Sequence, residues 1–318
     1  MDTNNHSSNT HNTDAADRPS EQLPPDGPYD LRPLFRAIGG FSGERALAQA
    51  PPQRTEADLD VEMLDTSPAE LLTEPLRVAG FVDGIQNALT VTYRSHRPVY
   101  LTYAAAGAVT GDGTPLRIHE RLRLLGSSTD TDWVAELGAE LPFTGLGEPR
   151  PDQLARAAAA VLRSQRDALE QRVVEELTAE GAGTLVIDGA LIGRPELDQL
   201  VGVVKTTNRR YLADESTLWG LPAGWRSPRF KLPSGSQGVD RERYSCYVRL
   251  HDATQHAWDY ALIRLETYHP ALLEPLGALA LAERQSARAK DQRYDRHLAG
   301  VRLVEQTLRA RRPDIYQL

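Results

Sequence analysis

Two short apolar runs decide the fold of this chain, and each is followed by the same pair of residue types, Asp-Gly. Residues 77–87 read RVAGFVDGIQN, and residues 183–193 read GTLVIDGALIG. Each run has the composition of a buried strand and stops at an aspartate followed by glycine, Asp83 in the first and Asp188 in the second. Asp-Gly is a common turn pair, so one such ending indicates little. Two endings on either side of a strand meander and a helix point to a shared site.

The segments around these runs predict a mixed α/β sheet. Short connections between the strand-like segments of 76–109 favour an antiparallel meander. Residues 116–126 read as a strand or a helix, and residues 152–180 carry leucine and valine at the spacing of a long helix. Further segments complete the pattern, with strands expected at 184–189, 199–206, 243–252 and 258–268 and helices over 271–312.

This order of elements predicts an RNase H-like mixed sheet with helices packed on its faces. In such a fold the first and fourth strands are neighbours, which would bring Asp83 and Asp188 together. Two adjacent carboxylates repel each other unless a cation lies between them, and hard oxygen ligands suit Mg²⁺ or Mn²⁺. A metal in that position can activate water and neutralise the charge of a phosphodiester.

The charge distribution is compatible with a polyanionic ligand despite a net charge of −8. Residues 1–74 hold 14 acidic and 5 basic side chains, whereas residues 75–318 hold 30 acidic and 31 basic ones. Basic residues concentrate in 205–231 and in 284–312. The second region would line a phosphate-binding groove through four arginines, Arg288, Arg293, Arg296 and Arg302. A solvated helix face is the alternative explanation of the same charges.

Three regions are expected along the chain. Residues 1–28 are polar and are predicted to be disordered. Residues 29–75 form an acidic connector with a helical piece near 68–73, and residues 76–312 form the main domain. The single cysteine excludes an internal disulfide, no apolar run approaches the roughly 20 residues that cross a bilayer, and the first residues lack the pattern of a signal peptide. We therefore expect a cytoplasmic protein.

The motifs FVDG, LVIDGAL and LVGVVKTT, with an RLE strand after them, resemble the NurA nuclease family in their order over residues 76–312. The resemblance implies an RNase H-like core and Mn²⁺-dependent cleavage of DNA, with single-strand endonuclease and exonuclease activity and 5′–3′ end processing. It also implies a homodimer that works with a hexameric HerA-type DNA-translocating ATPase in DNA repair or phage defence.

The resemblance assigns roles to individual residues. Asp83 and Asp188 match the metal-binding aspartates, and Glu170 is the choice for the glutamate on the long helix. Lys205 would reach the scissile phosphate with its long side chain, and Glu266 would face the same metals. The alternatives are Glu175 or Glu176 for the helix glutamate, and ordinary surface charge for each of these side chains.

The C-terminal part departs from the family, because Arg302 falls about where the family has a histidine. The second hypothesis is therefore a non-catalytic DNA-binding and assembly subunit on the same fold.

Overall fold

The computed structural model describes most of the chain beyond residue 60. The described residues are 34, 37, 61–137, 141–147, 150–194, 196–205, 211, 212, 214, 216–232, 241–285 and 296–313. The predicted disordered tail, residues 1–28, lies outside the described residues, as does most of the predicted connector over 29–75.

The described strands all belong to one mixed sheet. In chain order they are β1 (Glu62–Met63), β2 (Ala69–Glu70), β3 (Gly80–Arg94), β4 (Arg97–Val109), β5 (Pro115–Gly126), β6 (Phe143–Gly145), β7 (Leu185–Asp188), β8 (Leu200–Val204), β9 (Trp225–Arg226), β10 (Phe230–Leu232), β11 (Arg243–Arg249) and β12 (Leu262–Thr267). The helices are α1 (Thr131–Glu136), α2 (Pro151–Ala179), α3 (Ser216–Trp219), α4 (Leu273–Ala282) and α5 (Ala299–Arg311), with short 3-10 helices at Ser128–Asp130 and Pro270–Leu272.

The middle of the sheet has the order β5-β4-β3-β7-β8. Strands β3, β4 and β5 are antiparallel neighbours, and α2 then carries the chain back so that β7 pairs parallel with β3. Strand β8 is parallel to β7, and β12 and β11 extend the sheet in antiparallel fashion. The prediction of an α/β protein with a mixed sheet and flanking helices is confirmed.

Helices cover both faces of the central strands. Because side chains alternate along a strand, Val82 and Ile187 point to one face, where they pack with α2. Phe81 and Val186 point to the other face and belong to a core that includes residues of α4 and α5. Leu34 also belongs to this second core, so the segment before residue 60 contributes to it.

Strand β4 is a long and almost fully buried strand of the sheet. Every residue from 98 to 109 is buried, and both edges of the strand are paired, to β3 and to β5. Its alanines on the two faces, including Ala104 and Ala105, leave room for helices to approach from either side. A Cβ added at Gly107 would lie 3.1 Å from Leu308 of α5, which shows how closely that helix lies.

Two expectations about local structure are wrong and one ambiguity is resolved. The helical piece expected near 68–73 is absent there, because Ala69–Glu70 form a strand that pairs with Trp225–Arg226. The segments of 77–94 were expected to be two strands separated by a connection, yet β3 runs through them unbroken. Polar Gln86 and Asn87 resemble a turn in the sequence but are half-buried strand residues that pair with β4. Residues 116–126, for which the sequence left strand and helix open, belong to strand β5.

Among the described residues, no helix combines the length and apolar character needed to cross a membrane. The long helix α2 carries charged residues on its outer side throughout.

Candidate functional site

Asp83 and Asp188 lie side by side on neighbouring parallel strands. The register pairs Phe81 with Val186 and Val82 with Ile187, so the next step brings the two aspartates level with each other. Strand β7 ends at Asp188 as expected. Strand β3 does not end at Asp83 but continues to Arg94. Asp83 lies level with Asp188, the last residue of the parallel neighbour β7.

Burial and the neighbouring charge make Asp83 an unusual carboxyl group. The surrounding protein desolvates the carboxyl and raises its pKa well above the ordinary value, and the negative charge of Asp188 raises it further. The charge of Lys205 opposes this rise, and that of Glu170 adds to it. The backbone N–H of Gly84 donates a hydrogen bond of 2.7 Å to Oδ1. Four of the residues selected from the sequence therefore interact electrostatically at one place.

Lys205 directly follows β8 and reaches back to the aspartate pair. Its Nζ donates a hydrogen bond of 2.7 Å to Oδ2 of Asp188, and both side chains are partly buried. The carbonyl oxygen of Lys205 in turn accepts a 2.9 Å hydrogen bond from Nη1 of Arg296. Asp188 thus holds the ammonium group of Lys205, and the segment that precedes α5 holds its backbone carbonyl.

Glu170 reaches the same region from α2 because Gly84 has no side chain. A Cβ at position 84 would lie only 2.7 Å from Cγ of Arg166 and 3.0 Å from Cγ of Glu170, so the helix rests directly on this glycine. The carboxylate is buried between Arg166, at 3.3 Å, and Arg194. Burial raises the pKa of Glu170, although both guanidinium groups oppose the rise.

The alternative helix glutamates lie elsewhere on α2. Glu176 accepts from His119 and Arg172, each at 2.8 Å, on the part of the helix that packs against β5. Glu175 is bonded by Gln171 of the same helix. Of the three glutamates, Glu170 is the one whose charge acts on Asp83, although it lies on the α2 face of the sheet and the Asp83 side chain points to the other face.

Glu266 occupies a separate buried cluster. Its cross-strand partner is Gly202, which pairs with Ile187, so Glu266 faces the opposite side of the sheet from Asp188. Its carboxylate is bound by Arg264 at 2.8 Å, by Arg243 at 3.5 Å and by the backbone N–H of Leu191 at 2.8 Å. Metal binding by Glu266 would require it to leave these partners.

The predicted DNA-binding arginines divide into two groups. Arg288 and Arg293 lie outside the described residues. Arg296 donates to the carbonyl of Lys205 and, at 2.9 Å, to Oδ2 of Asp259. Arg302 donates to Oε1 of Gln285 at 2.6 Å. Arg296 and Arg302 therefore make intramolecular contacts, and their predicted role in DNA binding stays a prediction.

The Arg-x-x-x-Glu spacing of Arg166 and Glu170 favoured Glu170 from the sequence, and the two side chains do form an ion pair. Sequence reasoning missed Arg194 and the packing role of Gly84. Arg194 lies 24 residues away in the loop after β7, and no local pattern links it to Glu170.

The donor set at the aspartate pair fits a divalent cation through two carboxylates. Within the parts of the chain that the structure describes, no three His, Cys, Asp or Glu side chains are arranged to hold a metal ion together. Glu170 is the nearest third carboxylate by its electrostatic effect on Asp83, and its two arginines occupy it. Among the described residues the site therefore offers two adjacent carboxylates, and Glu170 is paired with arginines on the α2 face.

Comparison with known proteins does not assign the chain to a family. No protein-family model matches it, and no curated protein matches it at a significant level.

Proposed function

We propose that this protein is a metal-dependent DNA nuclease. The observation that carries the proposal is the placement of Asp83 level with Asp188 on adjacent parallel strands, where burial and mutual repulsion raise the pKa of Asp83. A divalent cation between the two carboxylates would relieve that repulsion, and Mn²⁺ or Mg²⁺ is the ion that such hard oxygen donors select.

The topology supports the same reaction class. The strand order β5-β4-β3-β7-β8, with one helical crossover between the antiparallel and parallel parts, is the order of an RNase H-like fold. Fold alone does not define an activity. The support comes from the position of the carboxylates, which lie where the two halves of that sheet meet.

Each side chain has a role that follows from its position. Asp83 and Asp188 would hold the cation, which supplies charge neutralisation and an activated water when bound. Lys205 would exchange its contact with Asp188 for a non-bridging oxygen of the phosphodiester. Glu170 would act on Asp83 through its charge and would contact the water or the cation only after it leaves Arg194 and the α2 face, and Arg166 would hold its present orientation.

The test is cleavage of labelled single-stranded and double-stranded DNA by the purified full chain with Mn²⁺. We expect Asp83→Asn and Asp188→Asn each to abolish cleavage with unchanged circular dichroism. Asp112→Asn is the matched control, because Asp112 is an exposed turn residue bonded to Thr110 and Thr114. Wild-type activity in either site variant would overturn the assignment of the aspartate pair.

One observation favours the second hypothesis, a non-catalytic DNA-binding and assembly subunit. Lys205 neutralises Asp188, and Arg166 and Arg194 neutralise Glu170, so two of the three carboxylates need no cation. This hypothesis predicts DNA binding that is indifferent to Mn²⁺ and no cleavage by the wild type. Cleavage that requires both Mn²⁺ and Asp83 would exclude it.

The partners remain proposals that follow from the same function. We propose a homodimer and an association with a hexameric HerA-type ATPase. Light scattering after gel filtration, with and without the ATPase, would measure the mass of the protein alone and the mass of any complex with the ATPase. A monomer that does not bind the ATPase would contradict the proposed partners and would leave the proposed nuclease activity unaffected.

A further inference from the structure

The end of the β3–β4 hairpin carries basic and aromatic side chains that have no role in the chemistry above. Strand β3 pairs with β4 as far as Arg94 and Arg97, whereas β5 pairs with β4 only from Tyr100 onward. Residues 92–99 therefore extend past β5 as a two-stranded end with the sequence TYRSHRPV, and residues 93–96 of it are exposed. We call residues 93–97 the hairpin end.

Two arginines lie directly opposite each other in the last pair of the hairpin. Arg94 pairs with Arg97 across the strands, and like charges at opposed positions of an antiparallel pair are destabilising. Neither guanidinium group forms an ion pair with a carboxylate of the described residues. By contrast, Arg117 on β5 is bound by Glu180. An anion from outside the chain would remove the repulsion between the two arginines.

The turn that joins the strands is also not one that favours a stable hairpin alone. Ser95 and His96 have φ angles of 46° and 65°. Two-residue hairpin turns with positive φ are usually filled by Asn-Gly or Asp-Gly, because glycine has no Cβ to clash. Here the turn keeps two exposed polar side chains, one of them an imidazole, between the arginines.

Both guanidinium groups are held in place and keep donors for a ligand. Cζ of Arg94 lies 4.8 Å from the centroid of the Trp133 ring on α1, so the guanidinium is stacked and its N–H edges stay available. Nη2 of Arg97 donates a hydrogen bond of 2.8 Å to Oγ1 of Thr129. A guanidinium has five N–H donors in a plane, which suits the oxygens of a phosphate.

An exposed aromatic ring stands next to these charges. Tyr93 is 52% exposed, and because side chains alternate along a strand, it projects from the face opposite to Arg94. Aromatic rings beside cations are the features with which proteins hold single-stranded nucleic acid, since bases stack on the ring while the cations contact the backbone. In a chain with a net charge of −8, such a local concentration is needed to attract a polyanion.

We propose that the hairpin end binds single-stranded nucleic acid, with Arg94 and Arg97 on its phosphates and Tyr93 stacked on a base. A duplex presents phosphates to the arginines but keeps its bases stacked on each other. The inference rests on the proposed function for its nucleic-acid ligand. Arg94 follows Asp83 by eleven residues on β3, a distance of about 36 Å at roughly 3.3 Å per residue. The hairpin end would thus hold the substrate away from the site of cleavage.

Binding is measured with the full chain in EDTA, so that no cleavage occurs. Fluorescence anisotropy uses one labelled single-stranded oligonucleotide and the duplex of the same sequence over a series of salt concentrations. For the single strand, we expect the double variant Arg94→Gln with Arg97→Gln to reduce the slope of log affinity against log salt by about 1.4, since each phosphate contact contributes about 0.7. The control is Arg117→Gln with Arg309→Gln, which removes the same charge from arginines paired with Glu180 and Glu305.

A second variant tests the stacked base. Tyr93→Ala should weaken single-strand binding about tenfold, the size of one lost base–aromatic stack, and should leave duplex binding nearly unchanged. The matched control is Trp219→Ala, because Trp219 on α3 is an aromatic side chain of similar exposure, 57%. Circular dichroism and the melting temperature check that each variant is folded.

The outcomes are distinguishable from failure of the nuclease proposal. Single-strand binding with an unchanged salt slope in the double arginine variant overturns the inference, as does an equal effect of the control pair. Equal losses on single strand and duplex in Tyr93→Ala also overturn it, because no base is then stacked. Binding of polyglutamate, but not of DNA, through the two arginines would assign the hairpin end to an acidic protein instead. Failure of the nuclease assignment would show as cleavage that survives Asp83→Asn, with binding at the hairpin end intact in EDTA.

Discussion

At the scale of single residues, Asp83 differs from the other carboxylates of the site in its partners. Asp188 has Lys205 and Glu170 has two arginines, whereas Asp83 accepts one hydrogen bond from Gly84 and forms no ion pair within the described residues. A carboxyl group in that position favours its protonated form. Its ionisation therefore costs stability in the folded state.

Asp83→Asn should stabilise the metal-free protein at neutral pH. The folded-state pKa of Asp83 lies above the ordinary value of 3.8, so the wild type loses stability as pH rises through and beyond that value. We expect the variant to have a higher free energy of unfolding than the wild type in urea at pH 7.5, because the amide carries no charge for burial and Asp188 to disfavour. The gain should shrink as the pH approaches 4. A gain that is absent at pH 7.5, or equal at both pH values, would contradict the burial argument.

Glu266→Gln should destabilise the fold strongly. Glu266 is 1% exposed and neutralises Arg264 and Arg243, so its replacement removes a carboxylate that pairs with two buried guanidinium groups. Breaking a buried pair in this way costs about 3–5 kcal/mol. The matched control is Glu242→Gln, because Glu242 is 57% exposed beside Lys231 and its loss should cost less than about 1 kcal/mol. Comparable urea midpoints for the two variants would show that the buried cluster contributes little.

At the scale of elements, the contact between α2 and β3 at Gly84 sets the position of Glu170. Gly84→Ala should push the helix away, because the new Cβ would overlap side chains of Arg166 and Glu170. Overpacking of this kind costs about 1–3 kcal/mol. Gly111→Ala is the control, since a Cβ there meets nothing within 4 Å. We expect Gly84→Ala to lower both the melting temperature and the cleavage rate. An unchanged cleavage rate would show that the proposed reaction does not depend on the position of Glu170.

The segment before α5 restrains the backbone of Lys205 through Arg296. Arg296→Gln should lower the turnover of DNA cleavage, because Nη1 no longer holds the carbonyl of Lys205. The salt dependence of DNA affinity should stay unchanged, since a phosphate contact would instead reduce the slope. Arg309→Gln, an exposed arginine on α5 paired with Glu305, provides the comparison. A reduced salt slope for Arg296→Gln alone would favour the predicted DNA groove.

At the scale of the whole molecule, the sequence predicted the central sheet better than its surroundings. The long helix has a clear apolar period, and the order of the two Asp-Gly endings around the meander and this helix predicted the observed neighbours β3 and β7. Strands of two residues, such as Ala69–Glu70, have no period to detect and form only because β9 offers a partner. The same limit hid Arg194, whose pairing with Glu170 depends on how the loop after β7 folds.

The burial of β4 has a consequence for how the molecule opens. Its backbone is paired with β3 on one edge and with β5 on the other, and every residue from 98 to 109 is buried. Local fluctuations cannot expose such a strand, so its slow amide protons should exchange with deuterium only when the entire domain unfolds. Their exchange free energy should therefore equal the global free energy of unfolding from urea titration. Peptides of β4 that exchange as fast as the short edge strand β6 would reveal a second way for the domain to open.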